Sequence, residues 1–196
     1  MDSKNNYYDC LKVICNKRKS IRHFEDQEVY PRDIEKIKEI AYTSPYASGR
    51  KNWELVVVTD REKIEKIAEV VRIQAVKLKG IIREDFKESF MQYAKSFTKF
   101  EGAPVLIIPT FRISPTLSLM LTKSDEQIAL WERDNYVKSI SCVVMLILLA
   151  AESLGLGACY MTGPLIAKND ISKIINVKKG REIGAIIPIG HPKKEK

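Results

Sequence analysis

Arg18-Lys19-Ser20-Ile21-Arg22-His23-Phe24 packs three cations and a hydroxyl into seven residues near the start of the chain. A small-molecule phosphate asks for such a set: guanidinium or ammonium donors beside a hydroxyl donor. Basic clusters also occur as plain solvated faces, so the run gains meaning only from its surroundings. Just before it, residues 6–17 carry Tyr7, Leu11 and Ile14 on one stripe, which predicts a short amphipathic helix. Just after it, Pro31 fits the first turn of a helix with Ile34, Ile37 and Ile40 at helical spacing.

Further along, residues 42–52 form a loop marked by Ser44-Pro45 and Ser48-Gly49. Residues 55–58 make a short buried strand. Asp60 caps a long helix running through Ile64, Ile67, Ala68, Val71 and Leu78. A second helical segment covers 84–100, and 103–108 is another buried strand. Residues 111–126 lack clear periodicity. A helix is predicted over 135–154, stopping at Gly155. It contains the longest apolar run, from Cys142 to Ala151, which is shorter than the roughly 20 residues that span a bilayer. The run is apolar all round, which predicts burial on several sides, with a subunit interface as one such side. Residues 157–161 form a strand, Thr162-Gly163-Pro164 a turn, 170–175 a short helix and 182–190 the last strand. Strands and helices without strict alternation predict an α+β fold with a helix-covered sheet, in one domain over 1–196.

The composition narrows the function. The 33 basic and 25 acidic residues leave a net charge of +8, which favours anionic ligands. The charges are interspersed, as in Arg61-Glu62-Lys63-Ile64-Glu65-Lys66, and no RNA- or DNA-binding motif accompanies them. Neither a nucleic acid nor a membrane is expected as partner. Cys10, Cys15, Cys142 and Cys159 form no CxxC pair, and Cys142 and Cys159 lie in apolar stretches. This usage, without a leading signal segment, predicts a cytoplasmic protein. Two histidines, His23 and His191, give a metal site little to work with. Gly155-Leu156-Gly157 follows a helix and opens a strand, the reverse of a dinucleotide-binding turn.

Three more segments stand behind the basic run in order. They are 44–53, which ends at Trp53; 154–164, with Met161-Thr162-Gly163-Pro164; and the closing Ile187-Pro188-Ile189-Gly190-His191-Pro192. Together the four resemble the FMN-dependent nitroreductase family over essentially the whole chain, least so at 111–133. The resemblance implies a homodimer with an α/β sandwich in each subunit and a mixed, mainly antiparallel sheet covered by helices. It implies two FMN molecules at the dimer interface, each lined by both chains. It also implies ping-pong chemistry, in which NADH or NADPH reduces the flavin and a small flat acceptor, nitroaromatic or quinone-like, then takes two electrons.

Carried onto this chain, the resemblance puts Arg18, Lys19 and Ser20 around the FMN phosphate and polar edge. Arg22 takes the position facing the flavin N1/O2 edge, where a cation favours the reduced ring. Pro45, Tyr46, Ala47, Gly49 and Lys51 lie on the loop that contacts the partner's flavin. Gly49, Lys51 and Asn52 depart from the family's usual Asn, Gln and Pro, and Lys51 could replace the lost amide as a cation. Met161, Thr162 and Gly163 match the segment that offers a backbone N–H to flavin N5; Pro164 has none to give. Relatives often end on a phosphate-binding Arg. Here Lys193 or Lys194 supplies that charge, or the tail frays.

Trp53 reads as core. Residues 111–133 are the candidate lid, with Phe111, Leu117, Leu119, Met120, Leu121 and Trp131 as either an apolar roof or dimer packing. The leading expectation is an FMN-dependent NAD(P)H oxidoreductase with no protein nucleophile. Within the fold, dehalogenation, enone reduction and flavin fragmentation stay open, and so does a flavin-binding protein without turnover.

Overall fold

A computed structural model describes residues 3–49 and 51–193. Its sheet has five strands: β1 (Trp53–Val58), β2 (Val105–Arg112), β3 (Gly157–Ala158), β4 (Arg181–Ile183) and β5 (Ile187–Gly190). β2 is the spine. β1 pairs along one side of it, from Trp53 opposite Phe111 to Val58 opposite Leu106. The other side is shared, with β5 on Val105 to Ile107 and β4 on Thr110 to Arg112. β3 extends the sheet from β5, and every pairing is antiparallel.

The helices are α1 (Ser3–Lys17), α2 (Pro31–Ala41), α3 (Arg61–Lys79), α4 (Glu84–Ala94), α5 (Glu126–Ser153) and α6 (Lys168–Ile174). The two-residue period of β2 sorts them into layers. Val105, Ile107 and Phe111 face a core built with Ile34 and Ile37 of α2 and Ile140, Val144 and Ile147 of α5. Leu106 and Ile108 face a second core with Ile64, Ile67 and Val71 of α3 and Ile171 of α6. Each of these side chains contributes about 1.5–3 kcal/mol by leaving water. The α+β class and the antiparallel sheet covered by helices are thus as expected.

Several boundaries differ. α5 begins well before residue 135, because its first two turns are charged and mixed and show no apolar stripe. The start is marked instead by Asp125, whose Oδ1 accepts the N–H of Ile128 at 3.1 Å. By length and composition α5 could cross a membrane, but Tyr136, Ile140, Val143, Val144, Ile147 and Leu148 bury one face in the core. The opposite face leaves Cys142 and Met145 exposed, so this helix is not buried all round and Cys142 is not a core residue. The helix predicted over 84–100 stops at Ala94 and tightens into a 3-10 turn, Lys95–Thr98. The last strand is broken between Ile183 and Ile187, where the register against β2 slips by one residue: Thr110 lies opposite Ile183 but Ile107 opposite Ile187, and the Gly184 N–H still reaches the Pro109 carbonyl of β2 at 2.8 Å. The strand predicted over 157–161 keeps two ladder residues, and Met161 regains a single bridge to Ile186. In α1, Tyr7 and Leu11 face solvent in the single chain.

The basic run lies along the free edge of β3. Ser20 bridges Ala158 in parallel, and the N–H of Ile21 bonds the Ala158 carbonyl at 3.0 Å. Phe24 then bridges Pro192, with the N–H of Glu25 on the His191 carbonyl at 2.9 Å. The run is therefore an extended edge segment, held on both sides of Arg22.

Candidate functional site

An extended backbone sends alternate side chains to opposite faces. Ser20 and Arg22 stand two residues apart on this segment, and Arg18 ends the last turn of α1, its N–H on the Ile14 carbonyl at 3.0 Å; all three act on the buried thiol of Cys159. Burial pushes that thiol's pKa up, while Arg22, a hydrogen bond from Ser20 and the charge of Arg18 oppose the shift. The guanidinium of Arg22 donates back to the Ser20 carbonyl at 3.4 Å. Lys19 goes the other way, into a separate cleft with Lys17, Glu152, Gly155 and Pro192. The edge segment thus groups three of the four candidate residues of this run and sets Lys19 apart.

Arg22 opens onto a cleft of about 270 Å³ that also holds Met161, Thr162 and Gly163. Met161 is fixed by two backbone bonds with Ile186, at 3.1 and 2.9 Å. The N–H groups of Thr162 and Gly163 have no acceptor among the described residues. Gly163 lies under the ring of Phe97: a Cβ there would sit 2.7 Å from Cε1 and 3.0 Å from Cγ. Only the missing side chain lets the backbone come this close.

The far wall of this cleft includes Tyr93, Ser96, Phe97 and Lys99. Sequence reasoning left these in an unremarkable helix. Tyr93 and Phe97 stand one helical turn apart, and that aromatic spacing was the available signal. Their rings meet edge to face with centroids 4.8 Å apart. Among the described residues, no acidic side chain lines the cleft.

The 45–53 loop lies elsewhere. Trp53 is core, as expected, and stacks on Tyr42 with centroids 5.0 Å apart. Tyr46 packs against Trp53 and Tyr136; burial pushes its phenol pKa far up, and its hydroxyl is buried without a hydrogen-bond partner. Ala47 donates its N–H to Ser139 Oγ at 3.0 Å. Pro45 is exposed, and Gly49 takes a left-handed φ of 65°. The ammonium of Lys51 is held by the Tyr42 carbonyl at 2.6 Å, so it braces its own loop in the single chain.

Ala47 lines a second cleft, of about 330 Å³, with Leu117, Met120, Trp131, Glu132 and Tyr136. No described residue lines both this cleft and the one at Arg22. Of the expected roof, Leu117, Met120 and Trp131 are there. Leu119 and Leu121 are exposed and neither lines the cleft; Phe111 is core, because β2 extends through it.

A buried carboxylate ties the roof down. Glu132 accepts the N–H groups of Thr116 and Leu117, each at 2.6 Å, that of Ser118 at 3.4 Å, and the Ser118 hydroxyl. The Ser118 hydroxyl, then the Thr116 N–H, hold its pKa below the usual carboxylate value, against the opposing effect of burial. Sequence reasoning did not find this clamp, which pairs residues 14 to 16 positions apart.

At the chain's end, the N–H of Lys193 bonds the His23 carbonyl at 3.0 Å, which sets Lys193 beside the basic run. Lys194 lies outside the described residues. Among the described residues, no group of three or more His, Cys, Asp or Glu could hold a metal ion.

Comparison with known proteins places the chain in a family. The model of the nitroreductase family matches residues 16–191. A Methanothermobacter thermautotrophicus protein named "Putative NADH dehydrogenase/NAD(P)H nitroreductase" is 31% identical over 196 residues, covering 98% of this chain and 82% of that protein. Among solved structures, a BluB-like flavoprotein from Clostridium difficile 630 has a TM-score of 0.84 at 26% identity, over 95% of this chain and 91% of that one. A nitroreductase with bound FMN from Desulfitobacterium hafniense DCB-2 has a TM-score of 0.70 at 19% identity, over 95% and 91%.

Proposed function

The chain belongs to the nitroreductase family, and from that premise we propose that it is an FMN-dependent NAD(P)H oxidoreductase of flat aromatic acceptors. The observation that carries this is one cluster. Arg18, Ser20 and Arg22 act on the buried thiol of Cys159, and Arg22 lines the cleft of the unpartnered N–H groups of Thr162 and Gly163. The donor chemistry fits FMN. Two guanidiniums and a hydroxyl suit a phosphate, and free backbone N–H groups beside a side-chain-free Gly163 suit an approaching ring.

In this proposal Arg18 and Ser20 bind the phosphate end and Arg22 holds a positive charge at the ring's polar edge. Lys19 and Lys193 add charge from the sides of the run, and Lys194 is a further candidate. Thr162 and Gly163 present N–H donors to the ring, with Met161 fixing their height. FMN held by these residues would supply two-electron transfer from NADH or NADPH to the acceptor. Overall, one NAD(P)H and one proton turn a quinone into a hydroquinone, or a nitro group into a nitroso group and water.

Pro45, Tyr46, Ala47, Gly49 and Lys51 are assigned to a partner subunit's flavin. Their separation from Arg22 within one chain supports a homodimer that brings one cleft of each subunit together. The domain is taken as 1–196, with 111–133 as its variable lid. The absence of cysteine pairing supports a cytoplasmic setting.

The test is an anaerobic visible spectrum of the purified protein before and after NADH, then NADPH. A yellow protein that bleaches supports the proposal and ranks the donors. A colourless protein that also ignores added FMN would overturn it.

A further inference from the structure

The wall opposite Gly163 has a chemistry that flavin binding leaves unused. Tyr93 is exposed and its ring stands edge-on against the buried Phe97. The Ser96 hydroxyl donates to the Tyr93 carbonyl at 2.7 Å, which holds the turn that carries both rings. Tyr160, also lining the cleft, has its hydroxyl 3.3 Å from that of Ser141. Three aromatic side chains therefore border one opening. Lys99 stands at the same opening, exposed, and makes no ion pair among the described residues. Most cations of α2, α3 and α4 have a carboxylate nearby, such as Lys38 with Glu35, Arg72 with Glu101 and Lys87 with Glu84. Among the described residues, Lys99 and Arg22 are the cations lining this cleft, and no carboxylate lines it.

Resting on the reductase reading above, we propose that this cleft selects planar aromatic acceptors that carry a negative charge, with Lys99 as the residue that binds the charge. The rings of Tyr93 and Tyr160 flank the acceptor, and its carboxylate or phenolate points at the Lys99 ammonium. Arg22 is committed to the flavin edge, which leaves Lys99 as the acceptor-side cation. An ammonium beside aromatic surface, with no internal carboxylate to satisfy it, favours an incoming anion over its neutral isostere.

The experiment uses the FMN-loaded protein and the isosteric probes benzoate and benzamide, with dissociation constants from calorimetry. KM values for 4-nitrobenzoate and 4-nitrobenzamide are measured alongside. The expected result is benzoate bound about tenfold more tightly than benzamide. Lys99→Gln should remove that preference and raise KM for 4-nitrobenzoate about tenfold, with 4-nitrobenzamide changed less than about twofold. Lys99→Arg should keep the preference, which a merely structural role would not predict.

Equal binding of the two probes, or equal loss for both in Lys99→Gln, overturns the proposal. The donor's phosphates are the other anions that could reach this lysine. If Lys99→Gln slows flavin bleaching by NADH and leaves benzoate untouched, the lysine serves the donor and the proposal falls. Bleaching without a benzoate preference sinks this inference alone. A benzoate preference in a protein that neither NADH nor NADPH bleaches keeps the anion site and sinks the reductase reading.

Discussion

Gly163 and Phe97 are in such close contact that the backbone of one occupies the space a side chain would need against the ring of the other. Phe97 is 5% exposed and shares a buried cluster with Ile67 and Val71 of α3 and with Phe100, so the ring has little room to retreat. Gly163→Ala should therefore lower stability by about 1–3 kcal/mol, as overpacking does. It should also reduce the FMN retained on purification, because the strained turn carries the two free N–H groups. Adding Phe97→Leu should restore part of the melting temperature. A Gly163→Ala protein with unchanged melting temperature would mean that the turn shifts freely and does not set the height of the ring.

The separate cleft of Lys19 predicts unequal effects from neighbouring cations. Arg18→Ala should purify largely without flavin while staying dimeric, since removing a partner from a charge-assisted pair costs about 2–5 kcal/mol. Lys19→Ala should lose no more than about 1 kcal/mol of FMN affinity, the scale of an exposed charge. Fluorescence titration with FMN reads both. Equal losses at the two positions would mean that the segment twists on binding.

Arg22→Ala should lower the flavin reduction potential and slow bleaching by NAD(P)H, because a positive charge at the ring's polar edge favours the reduced form. Spectroelectrochemistry on the loaded protein measures the potential directly. An unchanged value would remove Arg22 from that edge.

Glu132 makes the roof segment pH-sensitive. Its pKa is held below the ordinary carboxylate value, first by the Ser118 hydroxyl and then by the Thr116 N–H. A depressed carboxylate contributes order that is fully present above its unfolded pKa and is lost as pH falls through the folded one. Hydrogen exchange of Thr116, Leu117 and Ser118 should therefore be slow at neutral pH and speed up, after correction for intrinsic rates, only below the usual carboxylate range. Glu132→Gln should release the same amides at neutral pH with the core strands unaffected. Protection that persists in Glu132→Gln would show that the backbone of 113–125 orders itself.

The fold was legible where one period ran long enough to be read. Ile64, Ile67, Ala68 and Val71 announce α3, and the alternating cores under Leu106 and Ile107 explain why 103–108 reads as a strand. The boundaries that failed share a cause: tertiary partners override local pattern. The last strand slips by one residue in its register against β2 between Ile183 and Ile187, a shift set by a strand far away in sequence, and α5 starts on a cap instead of an apolar stripe. For the candidate site, the ordered motifs pointed to Arg18, Ser20, Arg22 and Gly163. They gave no sign of Tyr93, Phe97 and Lys99, since these reach the cleft only because α4 and its final turn fold back over Gly163.

The exposed face of α5 yields the last prediction. Cys142 and Met145 stand on it one turn apart, 48% of Met145 open to solvent, in the stretch of α5 whose other face lies in the core. Two apolar side chains on the outer face of so apolar a helix would suit the second subunit of the proposed dimer. Cys10 and Cys15 are exposed on α1, and Cys159 is buried with its thiol pKa raised. In the proposed dimer a thiol reagent should therefore react promptly with Cys10 and Cys15, slowly with Cys142 and not with Cys159 until the protein unfolds. Met145→Glu should shift the protein toward monomer in sedimentation, expose Cys142 to the reagent and release FMN together. Prompt labelling of Cys142 in the unaltered, flavin-loaded protein would place the interface on another face.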